Sequence, residues 1–268
     1  MKKTEKKYFL VTGAASGIGA AVCERLLALG HHVIALDIKK PLSCGDMRFF
    51  EADITDEKRL LAVKETLAEE NILLDGIFDI AGVHAMVSLA EGDLARMKQL
   101  LAVNLMGTMA VNRVFYPLLA KDGRILIVTS EVATLAPLPF NGLYSVSKAA
   151  LEAYAQALRQ ELNLLGQKVI TIRPGAIETP LAKGSMADTE ALAAQTVLFQ
   201  RGADRFAHIA QKFMGRPMKA EVLARLICRA ALAKHPRLVY HKHRNAGLVF
   251  LGALPIRLQC AIIKLLLR

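Results

Sequence analysis

The chain lacks the cysteine spacing that metal or redox chemistry needs. Its four cysteines (Cys23, Cys44, Cys228 and Cys260) form no CxxC pair and fall into no metal-like pattern with histidine. They read as reduced residues of a cytoplasmic protein, and no metal is expected. A signal-peptide core is also missing: the apolar run after the basic opening MKKTEKK stops at Gly13, after about five residues. The apolar run Ala246 to Ile256 falls short of the roughly 20 residues that span a bilayer. There is no linker rich in Pro, Gly or Ser, no internal repeat and no low-complexity run, so one domain is expected over residues 1–243. Acids nearly vanish from residues 211–268, where twelve Lys and Arg face a single acid, Glu221; this stretch accounts for the whole formal net charge of +11. No basic platform interleaved with aromatics accompanies that charge, which excludes nucleic acid as the expected partner. Two readings of it stand: a surface facing anionic lipid or another polyanion, or a solvated face with no partner.

What is present is an alternation. The segments KYFLVTG, HHVIALD, RFFEADI, LDGIFDIAG, GRILIVTS and KVITIRPG are short apolar strands, and longer helical patterns separate them. That order predicts an α/β fold, a doubly wound parallel sheet of the Rossmann type. With 53% hydrophobic and 22% charged residues the chain can bury a full core, which excludes disorder. After Pro174 the regularity stops. Residues 180–218 carry Met186, Leu192, Val197, Leu198, Phe199, Phe206, Phe213, Met214 and Met218. They form either an irregular helical pair packed on the core or an apolar lid over a pocket.

The stretch VTGAASGIGAAV leaves the first strand and opens the first helix. Gly13 suits a turn that L-residues resist, while Gly17 and Gly19 let backbone come close to a pyrophosphate at a positive helix N-terminus. Thr12, Ser16 and Ile18 share this stretch and count as cofactor contacts with it. Asp37 ends the second strand, eighteen residues after Gly19, where an acid meets adenosine ribose hydroxyls. An acid there repels a 2′-phosphate, so NAD is expected over NADP, although Lys39 and Lys40 lie close by. Asp53, followed by Ile54, either accepts a hydrogen bond from the adenine amino group or caps the helix beginning near Asp56.

Together TGAASGIG (12–19), VNLMGT (103–108), IVTS (127–130), YSVSK (144–148) and RPGAIETP (173–180) resemble the short-chain dehydrogenase/reductase family in its single-domain form, over residues 8 to about 180. The resemblance implies a nicotinamide cofactor and a catalytic set of Asn104, Ser130, Tyr144 and Lys148. Ser130 would align the substrate oxygen, Lys148 would also hold the nicotinamide ribose, and Asn104 would hold a relay water. Ala81 and Gly82 would approach the adenosine. Pro174 and Gly175 would shape the turn beside the nicotinamide, with Ile177 and Thr179 at its carboxamide. A homodimer or homotetramer is usual in the family. The family's Asn-Asn-Ala-Gly appears here as Asp79-Ile80-Ala81-Gly82, so the asparagine that braces the strand is lost. The loop from Ser130 to Tyr144 is one residue longer than usual.

Residues four apart on a helix share a face, so Tyr144 and Lys148 are neighbours. A phenol titrates near 10, and an ammonium about 5 Å away at an effective dielectric of about 20 contributes roughly 3 kcal/mol, which predicts a shift of about two pKa units toward neutrality. The predicted activity is interconversion of a secondary alcohol and a ketone. The apolar segment 180–218, with Phe140 and Leu143, favours a lipophilic substrate, hydroxysteroid or retinoid-like. The alternatives are a short hydroxy acid such as 3-hydroxybutyrate, or a dinucleotide-binding regulator without turnover. In residues 244–268, a helix after Pro255 would place Arg257, Lys264 and Arg268 on one stripe. It either lies at an anionic membrane, which would make the protein membrane-associated, or docks on its own domain or on a partner copy.

Overall fold

The computed structural model describes residues 6–41, 45–213 and 217–268. The six apolar segments become β1 (Tyr8–Thr12), β2 (His32–Asp37), β3 (Arg48–Glu51), β4 (Leu74–Asp79), β5 (Leu119–Val128) and β6 (Lys168–Pro174). Two short strands, β7 (Ile177–Glu178) and β8 (Met218–Lys219), pair with each other, and β9 (Val239–Lys242) follows. The main sheet has seven strands in the order β3-β2-β1-β4-β5-β6-β9, all parallel. Phe9, Leu10 and Val11 are all buried, because a central strand covered by helices on both faces has no solvent side.

The helices α1 (Gly17–Ala28), α2 (Glu57–Glu69), α3 (Leu94–Leu101), α4 (Thr108–Phe115), α5 (Gly142–Asn163), α6 (Pro180–Gln195), α7 (Gln200–Phe213), α8 (Ala220–Leu232), α9 (Ala246–Ala253) and α10 (Ile256–Leu267) complete the chain. One face of the sheet is closed by α1 and α8, through Val22, Leu26, Leu223 and Ile227. The other is closed by α2, α4 and α5, through Leu60, Leu67, Phe115 and Leu151. Truncating such a side chain to alanine costs about 2–5 kcal/mol.

Three expectations are corrected here. The regular alternation does not end at Pro174: α8 and β9 add one more crossover, with Thr171 to Pro174 paired against Val239 to Lys242. β9 has only four half-buried or exposed residues, too little pattern to be read as a strand. β3 stops at Glu51, so Asp53 lies beyond the strand. Its carboxylate accepts from the Thr55 backbone N–H and hydroxyl, each at 2.8 Å, and the cap of α2 is Asp56, which accepts from Arg59 N at 3.1 Å.

Of the segment 180–218, α6 and α7 are a helical pair packed on the domain. Ala203 and Phe206 of α7 meet Met86 and Phe140, with Leu192 of α6 at the edge. An ion pair, Arg96–Asp188 at 2.6 Å, fastens α6 to α3. Glu91 fastens the intervening turn, accepting from Val197 N at 3.1 Å and Leu198 N at 3.0 Å. Cys44 and Met214 lie outside the described residues, as do the side chains of Met186 and Phe213. Among the described residues, no helix is long and apolar enough to cross a membrane and no cluster suits a metal ion.

Candidate active site

Most candidate residues lie in the segments that follow the carboxyl ends of the strands, where ligands sit in such sheets; Asn104, between α3 and α4, does not. Gly13 follows β1 at φ +68°, and a Cβ there would lie 2.9 Å from the Ala81 backbone. A Cβ on Gly19 would lie 1.9 Å from Gly13 O, so the turn closes only with glycine. Ser16 precedes α1 with an exposed hydroxyl that makes no capping bond, and no acid occupies the first turn. The first-turn N–H groups of α1 and this hydroxyl form a cradle that suits an anion.

Asp37 faces the cradle: its carboxylate accepts from Ala15 N at 2.9 Å and Lys39 N at 3.0 Å. A carboxylate offers about four lone-pair sites, so capacity remains for ribose hydroxyls. The residues thus fit a dinucleotide. Three candidates, Thr12, Ile18 and Ile54, act through the fold rather than by side-chain contact. The buried Thr12 hydroxyl donates to Phe78 O at 3.3 Å and accepts from Ile80 N and Ala81 N at 3.0 and 3.1 Å. It ties β1 to the segment after β4, supplying a brace where Asp79 replaces the usual asparagine. Ile54 is buried, with Gly107 against it, and Ile18 packs toward the core.

The segment after β6 closes over the same loop. Gly175 N donates to Lys242 O at 2.9 Å, and Ile177 is buried in the core. Thr179 caps α6, accepting from Ala182 N at 3.2 Å, and its methyl lies 3.0 Å from where a Gly17 Cβ would stand.

The four catalytic candidates converge. Ser130 follows β5 and is buried; its hydroxyl accepts from Val132 N at 3.4 Å and lies close enough to the Tyr144 phenol to bear on its charge. Tyr144 and Lys148 occupy the first turns of α5, and Lys148 Nζ lies 5.8 Å from the Tyr144 ring centre. That ammonium donates to Val128 O at 3.3 Å. Asn104 sits in a π-helical turn, Ala102–Gly107, between α3 and α4, a distortion frequent at functional sites. Its side chain accepts from Val83 N at 2.8 Å and donates to Val83 O at 2.9 Å and to Ser147 Oγ at 3.1 Å. It therefore clamps the segment after Gly82 to the helix that carries Lys148, with both N–H donors of its amide engaged by protein.

In the cofactor-free chain burial runs against the depression that the Lys148 charge favours. Burial pushes the phenol up to about 12, opposed by the Ser130 hydroxyl, and burial pushes Lys148 down to about 8. Lys148 is buried and Tyr144 half-buried, and removing water penalises each charged form more than the ammonium rewards the phenolate.

Several residues at the site carry no sequence signal. The His84 ring lies 4.5 Å from the Tyr144 ring, centre to centre and tilted by 51°, and its Nε2 lies 3.0 Å from Asn141 Oδ1. Glu131, beside Ser130, accepts from Asn245 N at 2.7 Å. A half-buried pair, Arg173 and Glu152 at 2.6 Å, braces β6 against α5, and Thr129 donates to Glu152 at 3.0 Å. The only hint was position, since each lies one to three residues from a motif residue or faces one across a strand.

Comparison with known proteins agrees with this geometry. The family model for short chain dehydrogenase matches residues 7–190. Estradiol 17-beta-dehydrogenase 2 of Rattus norvegicus is 31% identical over 188 residues, which cover 65% of this chain and 49% of that protein. The chain thus matches about half the length of that relative. The uncharacterized oxidoreductase YbbO of Escherichia coli is 34% identical over 184 residues, covering 66% of this chain and 68% of that one. Among solved structures, a short chain dehydrogenase from Burkholderia cenocepacia in complex with NADP superposes with a TM-score of 0.74 at 23% identity, covering 98% of each chain. One from Mycobacterium paratuberculosis bound to NAD gives 0.72 at 24% identity, covering 90% of this chain and 96% of that one. At those identities the structures speak to the fold alone.

Proposed function

The chain belongs to the short-chain dehydrogenase family of oxidoreductases, and we propose that it interconverts a lipophilic secondary alcohol and its ketone, of hydroxysteroid or retinoid-like size, with NAD favoured over NADP. The observation that carries this reading is the convergence of Ser130, Tyr144 and Lys148 beside an apolar wall. Phe140 and Met86 pack with Phe206, two to four residues along the chain from His84 and Tyr144. The similarity to an estradiol 17-beta-dehydrogenase supports a steroid-sized substrate.

The Ser130 hydroxyl holds the substrate oxygen against Tyr144, and the phenol donates a proton to it in reduction or accepts one in oxidation. Lys148, anchored on Val128 O, keeps a cation beside the phenol when a phenolate must form. Asn104 and Ser147 fix the helix that carries both. A bound nicotinamide supplies or takes the hydride; Gly13, Ser16, Gly17, Gly19, Asp37, Ala81, Gly82, Gly175 and Thr179 would hold it. Asp37 supports NAD because its carboxylate repels a 2′-phosphate. A homodimer or homotetramer, and peripheral membrane contact through residues 244–268, complete the proposal. A short hydroxy acid is less favoured because Arg96, whose charge reaches His84, is already paired with Asp188.

The test is the initial rate of NADH or NADPH formation with a panel running from 3-hydroxybutyrate to hydroxysteroids. Turnover of bulky apolar alcohols with NAD is expected. Faster turnover of 3-hydroxybutyrate overturns the lipophilic substrate, and preference for NADP overturns the role of Asp37. Silence across the panel with tight NAD binding favours a regulator.

A further inference from the structure

The two helices of residues 244–268 are unlike the rest of the fold. Their sequences, AGLVFLGA and IRLQCAIIKLLL, are mostly apolar, yet no residue of either helix is buried. Phe250, Ile256 and Leu265 are 68%, 76% and 79% exposed. A second exposed apolar group, Val197 and Leu198 at 84% and 71%, sits in the α6–α7 turn. Packing brings the two groups together: Leu267 of α10 packs against the cluster of Met86, Phe140, Ala203 and Phe206, and its carbonyl faces Gly202 at the start of α7. An exposed patch of this kind on a folded surface marks a docking site.

We propose that the α6–α7 turn and α10 form one docking surface for an anionic lipid bilayer, at the mouth of the active site, from which the substrate passes directly to Tyr144. Charge selects this occupant. Exposed Arg201, Arg205, Arg257, Lys264 and Arg268 flank the apolar residues; Asp204 is the one acid within these segments, and Glu91 is spent on the turn's own N–H groups. A second copy docked here would bring the same cations face to face, as a two-fold contact requires. A bilayer takes the apolar residues into its interface and the cations to its headgroups. The inward path is apolar. Next to Leu198, the Phe199 ring meets Phe140 at 5.9 Å, and Phe140 O accepts from Val87 N, three residues past His84. On the other side, α9 lies on the segment between Ser130 and Tyr144, with Gly252 against Leu135 and Ala136 and Asn245 N held by Glu131.

The docking stands on surface and charge alone, and the route inward rests on the lipophilic-substrate reading, so two readouts separate them. The first is co-sedimentation of the full chain with phosphatidylcholine vesicles, with and without phosphatidylglycerol, at low salt and without substrate. Binding that requires the anionic lipid is expected. Lys264→Gln with Arg268→Gln should weaken it about 25-fold, since each basic residue at an anionic leaflet is worth about fivefold in partitioning. Leu198→Asp with Leu265→Asp should abolish it; these side chains are exposed, and an unchanged circular dichroism spectrum confirms folding. No binding to anionic vesicles, or binding indifferent to both double variants, overturns the docking. Light scattering that shows the aspartate variant dissociating an oligomer, with no vesicle binding by the parent, assigns the patch to a second copy and overturns it too. The second readout is kinetic. With a membrane-partitioned alcohol KM should rise at least tenfold in the aspartate variant, while kcat/KM for a water-soluble alcohol stays unchanged. Equal effects on both alcohols overturn the route and leave the docking standing.

Discussion

Replacing Asp79 by asparagine should stabilise the protein and flatten its response to pH. Asp79 ends β4, is 3% exposed, and has no hydrogen-bond partner in good geometry for either oxygen. Burial pushes its carboxyl up to about 8 from 3.8, with Asn112 close enough to oppose the shift. The sign follows from linkage. A carboxyl whose folded pKa lies above its unfolded value costs nothing below pH 3.8, where both states hold the proton. Above that the unfolded chain ionises and the folded chain does not, so stability falls by about 1.4 kcal/mol per pH unit until the folded pKa is reached. At pH 7 the cost is about 4 kcal/mol, an order of magnitude that any residual water at the site would reduce. Asparagine has the same shape, no charge to suppress, and an amide able to pair with the equally unpartnered Asn112. The assay is urea unfolding of both proteins at about pH 5, 7 and 9. The variant should gain about 2–4 kcal/mol at neutral pH and about 1–1.5 kcal/mol near pH 5. A variant less stable than the parent at pH 7, with an unchanged pH slope, refutes the reasoning.

Tyr144→Phe should lower turnover about 10²–10⁴-fold while cofactor affinity, measured by NADH fluorescence, stays the same; turnover within a few-fold of the parent would exclude Tyr144 as the proton donor. Asp37→Ser should reduce the kcat/KM preference for NAD over NADP at least tenfold, at some cost in stability because Ala15 N loses its acceptor; an unchanged preference excludes ribose selection at this position. Because burial holds the Tyr144 phenol protonated, kcat/KM for alcohol oxidation should climb up to tenfold per unit between about pH 6 and 8, below the loss of the Lys148 charge, whereas ketone reduction should be flat there. A plateau already reached at pH 7 in oxidation would mean that the phenol titrates far lower than its surroundings dictate.

The parts legible in the sequence are those decided locally. Val11-Thr12-Gly13 and Val128-Thr129-Ser130 read as strands running into loops because a buried parallel strand is a short continuous apolar run. The glycine turn was legible because Gly13 and Gly19 stand where backbone meets backbone. β9 was not, since Val239–Lys242 acquires its strand character from pairing with β6 and has too few residues to show a period. His84 and Glu131 were not legible as site residues because their roles come from partners 57 and 114 positions away, Asn141 and Asn245. Asp79 was visible as a departure from the family pattern. Its meeting with Asn112 and Tyr154 on neighbouring helices, which makes the departure costly, belongs to tertiary structure alone.

Tyr144 and Lys148 show the same division within one pair. Four-residue spacing dictates that the groups are neighbours, and an ammonium 5.8 Å from a phenol attracts the phenolate by about 3 kcal/mol at an effective dielectric of 20. Spacing does not dictate the medium. The packing that brings Ser130, Asn104 and Val83 around the pair removes the water that would stabilise either charge, and each group moves toward its neutral form. The consequence is directional. With the phenol near 12 and the ammonium near 8, the cofactor-free site at neutral pH holds the protons on both groups. A site in that state donates a proton to a ketone oxygen without prior rearrangement. To accept one from an alcohol it must first release a proton to solvent, so the pH dependence belongs to oxidation and not to reduction.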